Sequence, residues 1–239
     1  MDLKEMLKVG CNQLRVDVNE GQIDQLLTYK DILLEWNQKM NLTAIEEDRD
    51  VIIKHFLDSI TCLKVKELKN DGKLIDVGTG AGFPGIPLKV CLPNLEVTLL
   101  DALNKRLTFL KEVSTQLNLS KIEFAHGRAE DYGQDLAYRE QYDYAIARAV
   151  ASLNVLAEYC LPFVKVGGFF ICQKGPLVSD ELKDADKAIK ILGGEVVEKM
   201  DIQLPFSDIN HRIVVIQKVK GTPTKYPRKA GKPSKTPII

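Results

Sequence analysis

LIDVGTGAGFPGIPLKV, residues 74–90, begins as a strand, turns sharply on Gly78, Gly80 and Gly82, and resumes as a helix near Pro84, with Pro87 still inside its first turn. Glycine is needed where backbone bends tightly and comes close to a ligand, and the helix start that follows offers free amide groups. By itself such a turn is a weak signal. The dinucleotide fingerprint GxGxxG requires glycine at 83, where this chain carries Phe83, and an acid, Asp76, stands just before the turn.

Outward from this turn the chain changes period. The first 66 or so residues read as helical, in QIDQLLTYKDILLEWNQ and again in RDVIIKHFLDSITCLKV, with MNLTAIEED between them as a loop and a helix start. From Lys73 onward short β-rich runs alternate with helical ones: KLIDV, EVTLL, KIEFA, YDYAIA, GFFICQ, GEVVEKM and RIVVIQK. That alternation predicts an α/β fold, a Rossmann-like, mostly parallel sheet with helices on both faces. QLPFSDINH, between the last two runs, is too short and broken for a helical crossover, so the final pair is expected to be antiparallel.

Composition sets bounds on function. A chain of 239 residues with 45% apolar and 28% charged residues is an ordinary globular protein. It shows no apolar run of about 18 residues and no signal peptide, so neither a membrane partner nor export is expected, and a cytoplasmic location is. Five scattered cysteines without CxxC spacing argue against disulfides and zinc, and His55, His126 and His211 are too dispersed for a metal cluster, surface or capping roles being expected of them. Net charge is zero but uneven: residues 218–239 hold seven basic residues and no acidic one, leaving 26 basic against 33 acidic elsewhere. This tail also carries four of the ten prolines and cannot order itself alone.

Asp101 follows the second strand, 23 residues after Gly78, where a carboxylate can accept both hydroxyls of a ribose; a helix N-cap is the plainer reading. After the third strand comes HGRAEDY, where Glu130 or Asp131 could meet the amino edge of an adenine beside the backbone of Ala129; a solvated acid is the alternative. An acid followed by GxGxG is the pattern methyltransferases use for the methionine part of their cofactor. Acid and glycine features at three successive strand ends therefore point to one crevice holding S-adenosylmethionine.

DVGTGAGFPGIPL, LLDALNKRLTFL, GRAEDY and ARAVASL, with WNQKMNLTAI and KHFLDSI upstream and KYPRKAGKPSKTPI in the tail, together resemble the RsmG (GidB) family, bacterial methyltransferases of N7 of a guanosine in 16S ribosomal RNA. The resemblance runs from about Trp36 to the end. It implies a class I methyltransferase with a seven-stranded sheet, arranged as an N-terminal helical extension (1–68), a catalytic core (69–218) and a basic tail (219–239). It also implies cofactor contacts at Gly78, Phe83, Ala129, Glu130 and Arg148, added to Gly80, Gly82 and Asp101 from the turn and the second strand. The expected partner is 16S ribosomal RNA or the 30S subunit, not DNA, and the expected state is a monomer.

Methyl transfer from a sulfonium is an in-line displacement, and guanine N7 has a lone pair and no proton to lose, so no general base is expected. Arg148 is expected to hold the cofactor carboxylate, a phosphate or a guanine edge, with a structural ion pair as the alternative. Cys172 would serve pyrimidine C5 methylation through a thiolate adduct, though an apolar strand makes it a buried small hydrophobe. Lys174 would touch RNA phosphate or be solvated. Asn41 and Thr43 would contact the base or the active-site loop, or serve only the turn. Lys225, Arg228, Lys229, Lys232 and Lys235, interleaved with Tyr226, suit RNA phosphates and base stacking. The competing functions are a methyltransferase of small molecules or proteins, a noncatalytic binding module, and an NAD-dependent dehydrogenase. Gly78→Val and Gly82→Val are both expected to fill the cofactor's space.

Overall fold

The computed structural model describes residues 1–148, 151–175 and 178–239, with backbone alone at 178–180. Ala149 and Val150 of ARAVASL lie outside the described residues. Two helices, α1 (Leu3–Leu14) and α2 (Glu20–Met40), open the chain. Asp2 caps the first, and Asn19 with Gln22 forms a capping box on the second, which ends on Asn41 in the left-handed conformation. A second helical stretch starts as α3 (Asp48–Val51), widens to a π-helix (Ile52–Leu57) and closes as α4 (Asp58–Ile60) with a 3-10 turn, Thr61–Lys64. Its apolar periodicity predicted a helix but held no sign of the π-turn, because five of the six residues Ile52–Leu57 are buried, so no single face marks the period.

Strand β1 (Lys73–Val77), α5 (Gly85–Cys91), β2 (Glu96–Asp101), α6 (Asn104–Gln116), β3 (Ile122–His126), α7 (Ala129–Tyr132), β4 (Tyr142–Arg148), α8 (Leu153–Cys160), β5 (Val164–Lys174), α9 (Val178–Ile191), β6 (Gly194–Gln203) and β7 (Asn210–Lys218) follow, and α10 (Lys232–Lys235) lies in the tail. The seven strands form one sheet in the order β3-β2-β1-β4-β5-β7-β6. Strands β1 to β5 run parallel, and β7 inserts antiparallel between β5 and β6. The order reverses at β1, so the crevice beyond the carboxyl ends of β1 and β4 is where such a sheet binds ligands.

Each face of the sheet has its own core. On one face α1, α2 and the helical stretch of residues 48–64 pack with α5 and α6 through Leu7, Leu26, Leu33, Phe56, Leu99 and Phe109. The helical extension therefore shares one hydrophobic core with the sheet. The other face is covered by α8 and α9 through Leu156, Phe163, Phe170 and Ala188, and Tyr226 of the tail joins it.

The tail is ordered by docking, although its composition gives it no core of its own. Arg139 donates to the carbonyls of Thr222 and Tyr226, and Gln134 to those of Thr224 and Pro227. Arg228 makes a forked ion pair with Glu158, which is 1% exposed. Lys218 is buried too, donating to the carbonyls of Leu161 and Val164 beside Glu140, so burial pushes its ammonium down to about 8.

Removing one partner of a buried pair strands the other's charge. Arg228→Ala should therefore lower the unfolding free energy by about 3 kcal/mol, read from urea titration, and should cost clearly less in a Glu158→Gln background.

Candidate active site

The glycine turn rests on an aromatic floor supplied largely by the helical extension. The Tyr29 hydroxyl donates to the Ala81 carbonyl, and its ring stacks on Phe83 at 5.2 Å. His55 stacks on the same ring at 4.4 Å and 9°. Phe83 is buried, so its ring anchors the turn, and only its backbone remains to face a ligand. Gly78 and Gly80 have φ of +73° and +60°, the left-handed region that glycine tolerates. A Cβ at Gly80 would meet nothing nearer than the Gly78 carbonyl at 4.0 Å, whereas one at Gly82 would lie 2.5 Å from the Tyr29 hydroxyl and 2.6 Å from Leu110. The space at Gly82 belongs to the protein's own packing, which corrects the expectation that a side chain there would fill the cofactor's space.

Asp76, 0% exposed, lies under this turn. Its Oδ2 accepts from Thr79 Oγ1 and the Gly85 amide, while Oδ1 has no partner. Burial outweighs those bonds and raises its pKa to about 6. Asp101, at the end of β2, accepts from the amides of Gly80 and Leu103 and pairs with Arg106 at 3.2 Å. Its bond to Leu103 resembles a cap, yet the carboxylate also lines a recess of about 180 Å³ with Gly78, Gly127, Ala129, Glu130 and Tyr159. Glu130 is less free than its sequence context suggested, because its Oε1 accepts from the Gly231 amide and ties the tail to the recess rim.

Arg148, at the end of β4, adopts the structural pairing. Its Nη1 donates to Asp58 Oδ2 at 2.6 Å and to the Lys54 carbonyl, and its Nη2 donates to His55 Nδ1 at 3.2 Å. These bonds use three of the five guanidinium N–H groups. Since Arg148 can only donate, His55 Nδ1 must accept, so the His55 proton sits on Nε2, 2.8 Å from Thr43 Oγ1. Thr43 thus orients His55, while exposed Asn41 serves the α2 C-cap, and Asn37 Oδ1 accepts from the Leu42 and Thr43 amides between them. Burial and the nearby Arg148 push His55 down to about 3.

Asp58 gathers the remaining groups. Burial opposes its charge, but His211 and Arg148 together hold its pKa below the usual value. His211 Nδ1 lies 2.8 Å from Oδ1, at pairing distance though off the line of the ring N–H, which leaves Oδ1 without an aligned donor. Gln173 Nε2 donates to the Asp58 carbonyl and to Thr61 Oγ1. Lys54, His55, Asp58, Arg148, Gln173 and His211 line a second recess of about 370 Å³ on the β4-β5-β7 side. His55 and His211, expected at the surface, are both buried at this site, and His126 alone is exposed. KHFLDSI carried a signal for part of this, with His55 and Asp58 at helical spacing; Gln173 and His211 had none.

Other candidates fall elsewhere. Cys172 points into the α8-α9 core, where burial pushes its thiol up to about 12, against a thiolate role. Lys174 lines the second recess, but its ammonium is committed to Glu181 at 2.8 Å and to the Ala151 carbonyl. Arg228 is held by Glu158, while Lys225, Lys229, Lys232 and Lys235 are exposed. Among the described residues no cluster could hold a metal ion, and no helix is long and apolar enough to cross a membrane.

The residues around the first recess fit S-adenosylmethionine: open space at Gly80, carboxylates at strand ends for hydroxyl and amino groups, and an unpartnered Asp76 oxygen beneath the turn. Fold and site together define a class I S-adenosylmethionine-dependent methyltransferase. The fold is shared with NSun6 from Pyrococcus horikoshii with SFG (TM-score 0.56, 16% identity, covering 70% of this chain and 53% of that one). It is also shared with M. jannaschii TYW2 in complex with AdoMet (0.52, 13%, 68% and 77%). Residues 22–205 match the family described as GidB, rRNA small subunit methyltransferase G. Over 238 residues the chain is 66% identical to the ribosomal RNA small subunit methyltransferase G of Alkaliphilus oremlandii (strain OhILAs), covering all of both chains. It is 54% identical to that of Acetivibrio thermocellus, covering all of this chain and 98% of the relative. The chain belongs to the rRNA small subunit methyltransferase G family.

Two outcomes test the site. Gly80→Val, strained by its positive φ but not crowded, should lower the melting temperature less than Gly82→Val, which is both strained and crowded, and should lose at least about tenfold in S-adenosylmethionine affinity, the steric cost of closing a backbone approach; calorimetric titration and thermal unfolding run in parallel separate them. His55, with its folded pKa of about 3 below the ordinary 6.5, contributes stability that is complete above pH 6.5 and is lost as pH falls toward 3. Urea midpoints of wild type and His55→Phe across that window should converge toward low pH.

Proposed function

We propose that the protein transfers the methyl group of S-adenosylmethionine to N7 of a guanosine in 16S ribosomal RNA, on the free RNA or on the 30S subunit. The observation that carries this reading is the pair of recesses along the carboxyl edge of one sheet. One is lined by the Asp101 and Glu130 carboxylates, the other by the Arg148-Asp58-His211 group, and the glycine turn with Phe83 and His55 stands between them.

When bound, S-adenosylmethionine supplies a methyl carbon activated by its sulfonium. Asp101 would take the ribose hydroxyls, the backbone around Ala129 and Glu130 the adenine, and Gly78, Gly80 and the Phe83 backbone the methionine end, with Asp76 beneath it. Arg148 fixes the wall next to the turn and keeps two N–H groups for the ligands. An acceptor such as N7 needs position and alignment and releases no proton. A site whose histidine at the turn is neutral and whose thiols are protonated suits such an acceptor.

The tail supports an RNA substrate. Its docked course ties the Gly231 amide to Glu130 and leaves Lys225, Lys229, Lys232 and Lys235 exposed, where phosphates can displace counterions. Deleting residues 219–239 would also remove Tyr226 from the core and strand Glu158, so it cannot isolate the charges. Changing those four lysines to Gln leaves the docking intact and should weaken binding and flatten its salt dependence, while an enzyme for a small molecule would keep full activity.

The direct test is transfer of labelled methyl to 16S ribosomal RNA, naked and in 30S subunits from cells lacking this gene, followed by nucleoside analysis. Label in 7-methylguanosine is the expected result. Label in another nucleoside overturns the N7 reading, and absence of label despite cofactor binding points to a binding module.

A further inference from the structure

Three buried polar atoms of residues lining the second recess, Asp58 Oδ1, Gln173 Oε1 and His211 Nε2, have no hydrogen-bond partner, and the last two are not tied to a charged neighbour. Gln173, 2% exposed, has its Nε2 end fixed because the Asp58 carbonyl can only accept, so Oε1 is left as an unpaired acceptor. His211, 8% exposed, has Nδ1 2.8 Å from Asp58 Oδ1; a lone pair there would face the carboxylate charge, so the neutral ring keeps its proton on Nδ1, though off the hydrogen-bond line, and carries an unpaired lone pair on Nε2. Both side chains are positioned by the same residue. They come from neighbouring antiparallel strands: Gln173 pairs with Ile213, two residues along β7 from His211. Leaving two buried acceptors without a protein partner is costly, and native proteins keep such groups where a ligand completes them.

From this geometry we infer that the recess is the acceptor-base pocket, and that Gln173 Oε1 and His211 Nε2 read the Watson–Crick edge of guanine. The inference rests on the proposed function and adds how the base is chosen. Among the four RNA bases only guanine presents two adjacent donors on that edge, N1–H and the N2 amino group. Adenine, cytosine and uracil each place an acceptor where the second donor is needed. N7 lies on the neighbouring Hoogsteen edge, so a base held by its Watson–Crick edge against the β5-β7 wall keeps N7 free of these contacts. A volume of about 370 Å³ falls within the range of small-ligand pockets, about 300–1,000 Å³. A base entering it must leave its stack, as bases that undergo chemistry in enzymes do.

The test uses 30S subunits reconstituted with 16S RNA carrying guanosine or inosine at the position that the labelling experiment marks. Inosine keeps N7 and N1–H and lacks only the N2 amino group. Wild type should prefer guanosine by roughly 10- to 100-fold in kcat/KM, the penalty for one stranded buried acceptor. Of Gln173→Met and His211→Phe, with His211→Asn as a milder variant, the one that removes the N2 partner should collapse that ratio toward one and the other should slow guanosine and inosine alike, while calorimetric affinity for S-adenosylmethionine persists in both. Equal use of inosine by wild type, or a wild-type ratio kept in both the Gln173 and the His211 variants, overturns the pocket assignment and leaves the proposed function standing. If wild type makes no 7-methylguanosine on the guanosine subunits, the proposed function itself falls, and this inference with it.

Discussion

The Asp58 carboxylate, buried between the helical extension and the sheet, is the interaction on which the rest of the site depends. It holds Arg148 of β4 through one oxygen and contacts His211 of β7 through the other, and its carbonyl receives Gln173 of β5. Isolated in an apolar interior such a charge would be prohibitively unfavourable. Here Arg148 supplies the compensating charge, and the pair fixes three strand ends relative to one helix. Because a broken buried pair costs far more than an intact one contributes, the arrangement constrains geometry more than it adds stability.

That dependence changes how the first 68 residues are best understood. Tyr29 and His55 are stacked on Phe83, and Tyr29 also holds the Ala81 carbonyl, so the glycine turn is shaped from below by helices that precede the sheet in sequence. The π-turn over Ile52–Leu57 lies in the segment that carries His55. π-bulges cost helical regularity and recur at functional sites. The extension is therefore a wall of the crevice beside the glycine turn.

Much of this was legible in the sequence, and the reasons are local. Strand and helix periods, the short QLPFSDINH link and the acid before GxGxG are patterns within one element or its neighbours, and they gave the sheet, its antiparallel end and the position of the first recess. The second recess was not legible because its members, Asp58, Arg148, Gln173 and His211, lie on four elements that only the tertiary fold brings together. The tail was half legible: its charge is visible, but nothing in KYPRKAGKPSK announces that Arg228 is spent on Glu158 or that the Gly231 amide closes onto Glu130. A basic residue in a polar, proline-rich segment looks solvated unless its partner, 70 residues away, is known.

All five cysteines are buried and unpaired, and Cys11, Cys91 and Cys172 have thiols that burial pushes well up from their ordinary range. They sit on both sides of the sheet, Cys11, Cys62 and Cys91 with the helical extension and Cys160 and Cys172 under α8 and α9. Oxidants and alkylating reagents attack the thiolate, so the folded chain is chemically quiet toward them. Reaction at any one of these sulfurs requires the surrounding layer to open, and the order in which they react reports which layer opens first. The molecule thus carries its own clock for local unfolding, distributed across both halves of its interior.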